Sequence, residues 1–398
     1  KLAEDFSAKH PDINVEWVTL EENILRERVT TDIATKGGQY DVLTIGTYEV
    51  PIWAKQEWLV PLEGMPEDYA ADDLLPAVRS ALSVDDKLYA APFYAESAMI
   101  MYRTDLAEAA GVKISEAPTW TEIIAAAKAM TDKSKEQYGM CLRGKPGWGE
   151  NMAFLTAMAN SYGARWFDMD WKPQFDSPEW KAALTDYLTM MTEYGPPGAS
   201  SNGFNENLSL FQQGKCGMWI DATVAASFVT DPASSTVADK VGFAKFPNKD
   251  GVDNHGNWLW AWSLAIPASS DAPDAAKTFI AWATSKGYTE LVASKDGWRA
   301  APPGTRTSLY ANADYQAAAP FAAMTLTAIE SANTQKSSVQ DIPYTGGQFV
   351  AIPEFQGIGT AVGQQFSAAL AGQMSADDAL AAAQANTTRE MTRAGYIK

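Results

Sequence analysis

The alternation of apolar and polar positions divides the chain into helices and strands from its first residues. Leu2 and Phe6, followed by a break at Pro11, predict a short opening helix. Ile13-Asn14-Val15-Glu16-Trp17-Val18 alternates with period 2, the mark of a strand with one buried face. Ile24 to Thr35 reads as a helix that Gly37-Gly38 terminates, and Asp41-Val42-Leu43-Thr44-Ile45 is a short apolar run suited to a buried parallel strand. A short helix over 53–58 comes next. The order βαβα predicts an α/β unit with a mostly parallel sheet.

Further along, Lys87–Ala90 and Ala98–Tyr102 read as strands on either side of Pro92-Phe93-Tyr94-Ala95-Glu96. Thr121 to Met130 is a predicted helix whose N-cap is Thr119 or Thr121. Helices are expected over 150–163 and 178–194, the second ended by Gly195-Pro196-Pro197-Gly198, and strands over 216–220 and 241–246. The stretch Trp258 to Ile266 carries large apolar residues on both faces. The remainder is helical in pattern, over 273–285, 287–294, 314–332, 355–371 and 376–393. Ser375 and Asp378 resemble a capping box with Asp in place of Glu. No repeat and no long linker interrupts this order.

With 398 residues, 46% of them hydrophobic and 20% charged, the chain can fill two or three cores and is not disordered. Its apolar runs fall short of the roughly 18 residues that cross a bilayer, so no membrane insertion is expected. A net charge of −18 repels phosphate backbones, and no dense Lys/Arg run overrides it. Nucleic acid and anionic membranes are therefore excluded as partners, and solubility is the plain reading of the charge. The two cysteines, Cys141 and Cys216, allow one bridge in an oxidising compartment; two buried thiols on separate strands is the alternative. His10 and His255 stand far apart, which argues against a histidine metal site or a Ser-His-Asp triad. No phosphate loop, dinucleotide fingerprint, HExxH or GxSxG is present, so no cofactor is expected and the case for an enzyme weakens without vanishing. No signal peptide is visible, and the start looks trimmed, since the chain is already in helical pattern at Lys1. That says nothing about location.

Several phrases carry a family resemblance. They are Phe6 with His10-Pro11-Asp12-Ile13-Asn14-Val15-Glu16, Gln39-Tyr40-Asp41-Val42 with Trp58-Leu59-Val60-Pro61-Leu62, and Lys87 through Phe93. Met101-Tyr102-Arg103-Thr104-Asp105-Leu106, Pro118-Thr119-Trp120-Thr121-Glu122-Ile123, Phe211 through Met218 and Ala275 through Ile280 follow in order. Together they resemble the extracellular solute-binding proteins of bacterial ABC importers, the maltose-binding-protein-like family. Asn257-Trp258-Leu259-Trp260-Ala261-Trp262 and Lys145-Pro146-Gly147-Trp148-Gly149 look most like its sorbitol/mannitol branch. Two features depart from the family: its strand before the first helix is missing, and the Trp-rich strand replaces a glycine-rich loop.

The resemblance implies a type II periplasmic-binding-protein fold of two α/β lobes, each a mainly parallel sheet flanked by helices. One lobe would take 1–94 and 264–312, the other 98–260 and 316–398, with hinge segments near 95–97, 261–263 and 313–315. Such lobes close on ligand by hinge bending. The implied function is capture of a polyol or sugar in the cleft and its delivery to membrane permease subunits. A monomer in the periplasm is expected, or a tethered extracellular protein in a Gram-positive, with its signal peptide removed.

Ligands of open α/β sheets sit beyond the carboxyl ends of strands. That places Tyr48 and Glu49 after the strand at 41–46, Asp221 after 216–220, and Asn257 in the loop after 241–246. Glu96 aligns with a sugar-binding carboxylate of the family. Carboxylates and amides pair hydroxyls, and aromatic faces cover the carbon skeleton, which adds Asn151, Trp148, Trp258 and Trp260. Arg299 can donate a fork to adjacent oxygens. Each has a plainer alternative: an ion pair for Glu96, a helix cap for Asp221, core packing for the tryptophans. The rival functions are a mono- or disaccharide-binding protein, a glycosidase using Glu49 and Glu96, and a receptor-coupled sensor.

Overall fold

The chain passes between two compact units three times. In the computed structural model, which describes residues 1–398, one unit comprises Lys1–Glu96 with Trp260–Leu326 and the other Ser97–Leu259 with Thr327–Lys398. The last crossing lies beyond the expected 313–315. The helical stretch expected over 314–332 is two helices, Ala313–Ala318 and Ala322–Ser331, because Pro320 lacks the N–H a continuous helix needs. The first of them stays packed on the turn Trp298–Ala300 of its own unit.

The first unit is built on strand Trp260–Pro267, which pairs with Leu43–Ile45, Leu59–Val60 and Ala91–Glu96. Helix Pro273–Ala283 covers this sheet: Phe279 and Ile280 join Phe6, Leu74, Leu264 and Ile266 in one buried cluster. The period-2 segment Ile13–Val18 is not a strand. It runs without a ladder partner, leaving Trp17 65% and Val18 54% exposed, and only the edge of Trp17 rests on Phe279, 5.9 Å between ring centres. Alternation marks a chain able to line a sheet, and a neighbouring strand is also required.

The second unit holds a sheet in the order Tyr138–Cys141, Cys216–Ala222, Ala98–Arg103, Val241–Lys245. Strand Cys216–Ala222 is buried along its whole length, and so is helix Asn151–Ser161. Helices Pro178–Glu193, Phe355–Leu370 and Ala376–Arg393 pack beside it around Trp166, Phe175, Trp180 and Phe366. Thr119, not Thr121, caps helix Trp120–Ala129, in a full capping box with Glu122. Ser375 likewise caps Ala376–Arg393, accepting the N–H of Asp378.

The sheets are not mainly parallel. Every partner of Trp260–Pro267 runs antiparallel to it, and in the second unit only Tyr138–Cys141 with Cys216–Ala222 is parallel. A central strand buried on both faces reads as a continuous apolar run whatever the direction of its neighbours, so the run at 41–45 could not reveal pairing sense.

That parallel pair is bridged. Cys141 and Cys216 form a disulfide with 5.9 Å between Cα atoms, and both are fully buried. Since it closes a separation of 75 residues, replacing both cysteines by alanine should lower the unfolding free energy by about 2–4 kcal/mol. Urea titration beside the oxidised protein checks this, and an unchanged midpoint would show that the bridge adds no stability.

Candidate functional site

In the second unit, strand Cys216–Ala222 carries Asp221, 1% exposed, as its last residue but one. The parallel neighbour Tyr138–Cys141 is followed two residues later by Arg143, so the pairing brings the two side chains together. Arg143 donates to both carboxylate oxygens, Nε to Oδ2 at 2.9 Å and Nη2 to Oδ1 at 2.7 Å, a fork that a single point charge could not make. Its Nη1 donates to the carbonyl of Gly149 at 2.9 Å and lies 3.5 Å from Glu150 Oε2. Asp221 also accepts the indole N–H of Trp219 at 3.1 Å and the N–H of Ala222. The guanidinium lies over the rings of Trp258, at 5.5 Å, and Phe204, at 5.4 Å.

The first unit repeats the chemistry with other residues. Strand Leu43–Ile45 leads through Gly46 and Thr47 to helix Glu49–Lys55, with Tyr48 buried at its start. Glu49 accepts the N–H of Gly46 at 3.0 Å and faces Arg26 Nη1 at 3.4 Å. Arg26, on helix Glu22–Thr35, also donates to Glu22 at 2.8 Å. Its guanidinium lies 4.9 Å from the Trp260 ring and 4.7 Å from that of Trp262. A Cβ on Gly46 would fall 1.9 Å from the Trp260 ring, so only glycine lets this loop meet the indole. Glu96 closes strand Ala91–Glu96, is 5% exposed, and sits opposite Trp260 in the ladder. The loop carrying Arg299, on the turn Trp298–Ala300, passes the same strand, where Ala95 N–H meets the carbonyl of Pro303 at 2.9 Å.

The expected residues thus fall into distinct groups. Glu49 and Trp260 share Arg26 as a neighbour, and Asp221 and Trp258 share Arg143. Trp148 is buried with its ring edge-on to Phe355, centres 6.1 Å apart. Asn151 accepts the N–H of Gly147 and donates to the carbonyl of Gly363 at 2.8 Å, which ties its loop to helix Phe355–Leu370. Asn257, at φ 57°, donates to Ser337 and accepts from Asn333, holding two loops together. Sequence reasoning missed both arginines. The available signal was their rarity in buried positions next to predicted acids, but burial of an arginine is not visible in a string of residues.

Two α/β units, each lined with indoles and acids held by a buried arginine, have the make-up of a solute-binding protein. The chain belongs to the bacterial extracellular solute-binding protein family, which matches residues 1–290. It is 56% identical over 398 residues to the mannitol-binding protein of Pseudomonas aeruginosa, covering 100% of this chain and 91% of that one. It is also 68% identical to an ABC transporter solute-binding protein from Agrobacterium vitis solved with bound D-mannitol, with a TM-score of 0.98 over 100% of this chain and 95% of the other. A protein from Agrobacterium radiobacter in complex with ribitol matches at 28% identity and a TM-score of 0.85, over 98% and 94%.

Burial pushes the Glu49 carboxyl above its ordinary range, and the Arg26 charge and backbone N–H groups draw it back. Between the ordinary value and the raised folded value the folded state holds the extra proton, so stability falls as pH rises through that window. Glu49→Gln should remove this slope, seen as a flatter plot of unfolding free energy as pH rises above the ordinary carboxylate range; identical slopes would contradict it. Asp221→Ala leaves Arg143 buried without its fork and should cost about 3–5 kcal/mol, while Arg143→Met with Asp221→Leu should recover most of that. Denaturant titration of the three variants separates a broken pair from a merely absent one.

Proposed function

We propose that this protein binds D-mannitol or a closely related polyol with high affinity and delivers it to the permease of an ABC importer. The observation that carries the reading is full-length similarity, at 68% identity and a TM-score of 0.98, to a protein holding D-mannitol. The side chains support it. A polyol offers many hydroxyls and no charge, so it calls for carboxylates that accept hydroxyl protons, fixed donors, and indoles against its carbon chain. Each unit by itself carries groups of this kind: Tyr48, Glu49, Glu96, Trp260 and Arg299 in the first, and Trp148, Asp221 and Trp258 in the second. Asn151 and Asn257 then serve by holding loops.

Residence outside the cytoplasmic membrane belongs to the same proposal, as does the absence of turnover. It agrees with a chain in which no helix is long and apolar enough to cross a membrane. The family similarity speaks for transport over the glycosidase alternative, and the D-mannitol and ribitol complexes of its relatives favour a polyol over a saccharide.

Because ligand binds the folded form, D-mannitol at a hundredfold excess over its Kd should stabilise the protein by about 2.7 kcal/mol. A melting-temperature rise of roughly 3–8 °C is expected, at the low end for a chain of 398 residues that unfolds as a whole, with smaller shifts for ribitol and none for maltose. Maltose shifting it more than any polyol would establish the saccharide reading instead. Release of sugar from aryl glycosides would end the binding-only reading.

A further inference from the structure

We propose that the indole N–H of Trp258 is a fixed donor to one hydroxyl of the ligand, so that the edge of this ring, not its face, recognises the polyol. This rests on the polyol-binding reading and adds to it a residue-level determinant of specificity.

Trp258 is 3% exposed, and its Nε1 meets no acceptor among the protein atoms. Its neighbours in the same unit behave differently. Trp120 donates to Ser161 at 2.8 Å, Trp166 to Thr156 at 3.1 Å, Trp180 to the carbonyl of Arg165 at 2.9 Å, and Trp219 to Asp221 at 3.1 Å. A buried N–H without an acceptor is costly, and folded proteins rarely tolerate one. An indole nitrogen donates only, so its partner must bring a lone pair, which a hydroxyl oxygen does.

The ring cannot readily turn to find that partner elsewhere. Arg143 covers its face at 5.5 Å and is itself held by Asp221 and the carbonyl of Gly149. The chain on both sides is tied down. Leu259 exchanges two hydrogen bonds with the Gln348 amide, at 3.0 and 3.2 Å, and the Asn257 amide spans to Ser337 and Asn333. A donor fixed this way loses little freedom when a ligand arrives. It will favour a polyol with an oxygen at the matching position. Arg143 is a positioning residue in this scheme.

Trp258→Phe keeps an aromatic face and removes the N–H. Calorimetry with D-mannitol should show affinity weakened by about three- to tenfold. The decisive comparison uses 1-, 2- and 3-deoxymannitol. The wild type should lose affinity for each, and for one of them the loss should disappear in Trp258→Phe, because that hydroxyl has already lost its donor. Arg143→Lys, which keeps the charge but not the plane, should blunt the wild-type discrimination against the same analogue.

Full affinity for D-mannitol in Trp258→Phe, or the same losses for all three analogues in both proteins, overturns the proposal. Failure of the wild type to bind any polyol is a different result and defeats the functional reading. Should the variant not fold, the assigned Trp258 indole resonance of the 15N-labelled wild type decides. It must shift downfield and exchange more slowly with solvent on saturation with D-mannitol, and an unmoved resonance refutes the assignment.

Discussion

A buried arginine cannot shed its charge, so the protein around it must supply carboxylates at fixed positions. Arg143 and Arg26, 5% and 7% exposed, impose this constraint beside the indoles of each unit. Around Arg143 it decides the places of Asp221, Glu150 and the Gly149 carbonyl, and through the ring contacts those of Trp258 and Phe204. Replacing such a pair by apolar residues need not cost stability. What the pair contributes is geometry. A carboxylate gripped by a guanidinium through two hydrogen bonds, as Asp221 is by Arg143, is fixed in position and orientation.

The two units reach this arrangement by different routes. In the second, a parallel strand pair sets Arg143 beside Asp221, and the Cys141–Cys216 bridge locks that pair just before the arginine. In the first, the arginine comes from a helix, Glu22–Thr35, and its acids from that helix's first turn and from the start of Glu49–Lys55. There Gly46 takes the place of a covalent lock. By lacking a side chain it lets the loop close on Trp260, and its N–H holds Glu49.

Much of this was legible in the residues. The helices at 178–194, 355–371 and 376–393 were placed within a residue or two, because amphipathic periodicity and terminating glycines and prolines act locally. The family was legible in phrases such as Lys87 through Phe93 and Phe211 through Met218. What stayed hidden depends on tertiary contact. Ile13–Val18 carries a strand's alternation but has no ladder neighbour, and the pairing sense of Leu43–Ile45 is a property of Trp260–Pro267, more than two hundred residues away. In the site, residue type was the weaker guide. Asn151 and Asn257 have the amides a polyol would use, yet both spend them on backbone groups of neighbouring loops.

The tryptophans show why position within a strand outranks composition. Trp258, Trp260 and Trp262 recur with period 2, and within strand Trp260–Pro267 the extended backbone turns Trp260 and Trp262 toward one face, where both meet Arg26. The chain leaves the second unit at Leu259 and enters the first at Trp260, so one indole meets Arg143 and two meet Arg26. Shifting the strand by one residue would turn Trp260 and Trp262 to the opposite face and present Ala261 to Arg26 instead. Its register is fixed at both ends, by Gln348 against Leu259 and by the ladder that sets Trp260 opposite Glu96. The entry of the strand therefore sets the indoles of the first unit, and in each unit the acids beside the indoles are held by the arginine those rings cover.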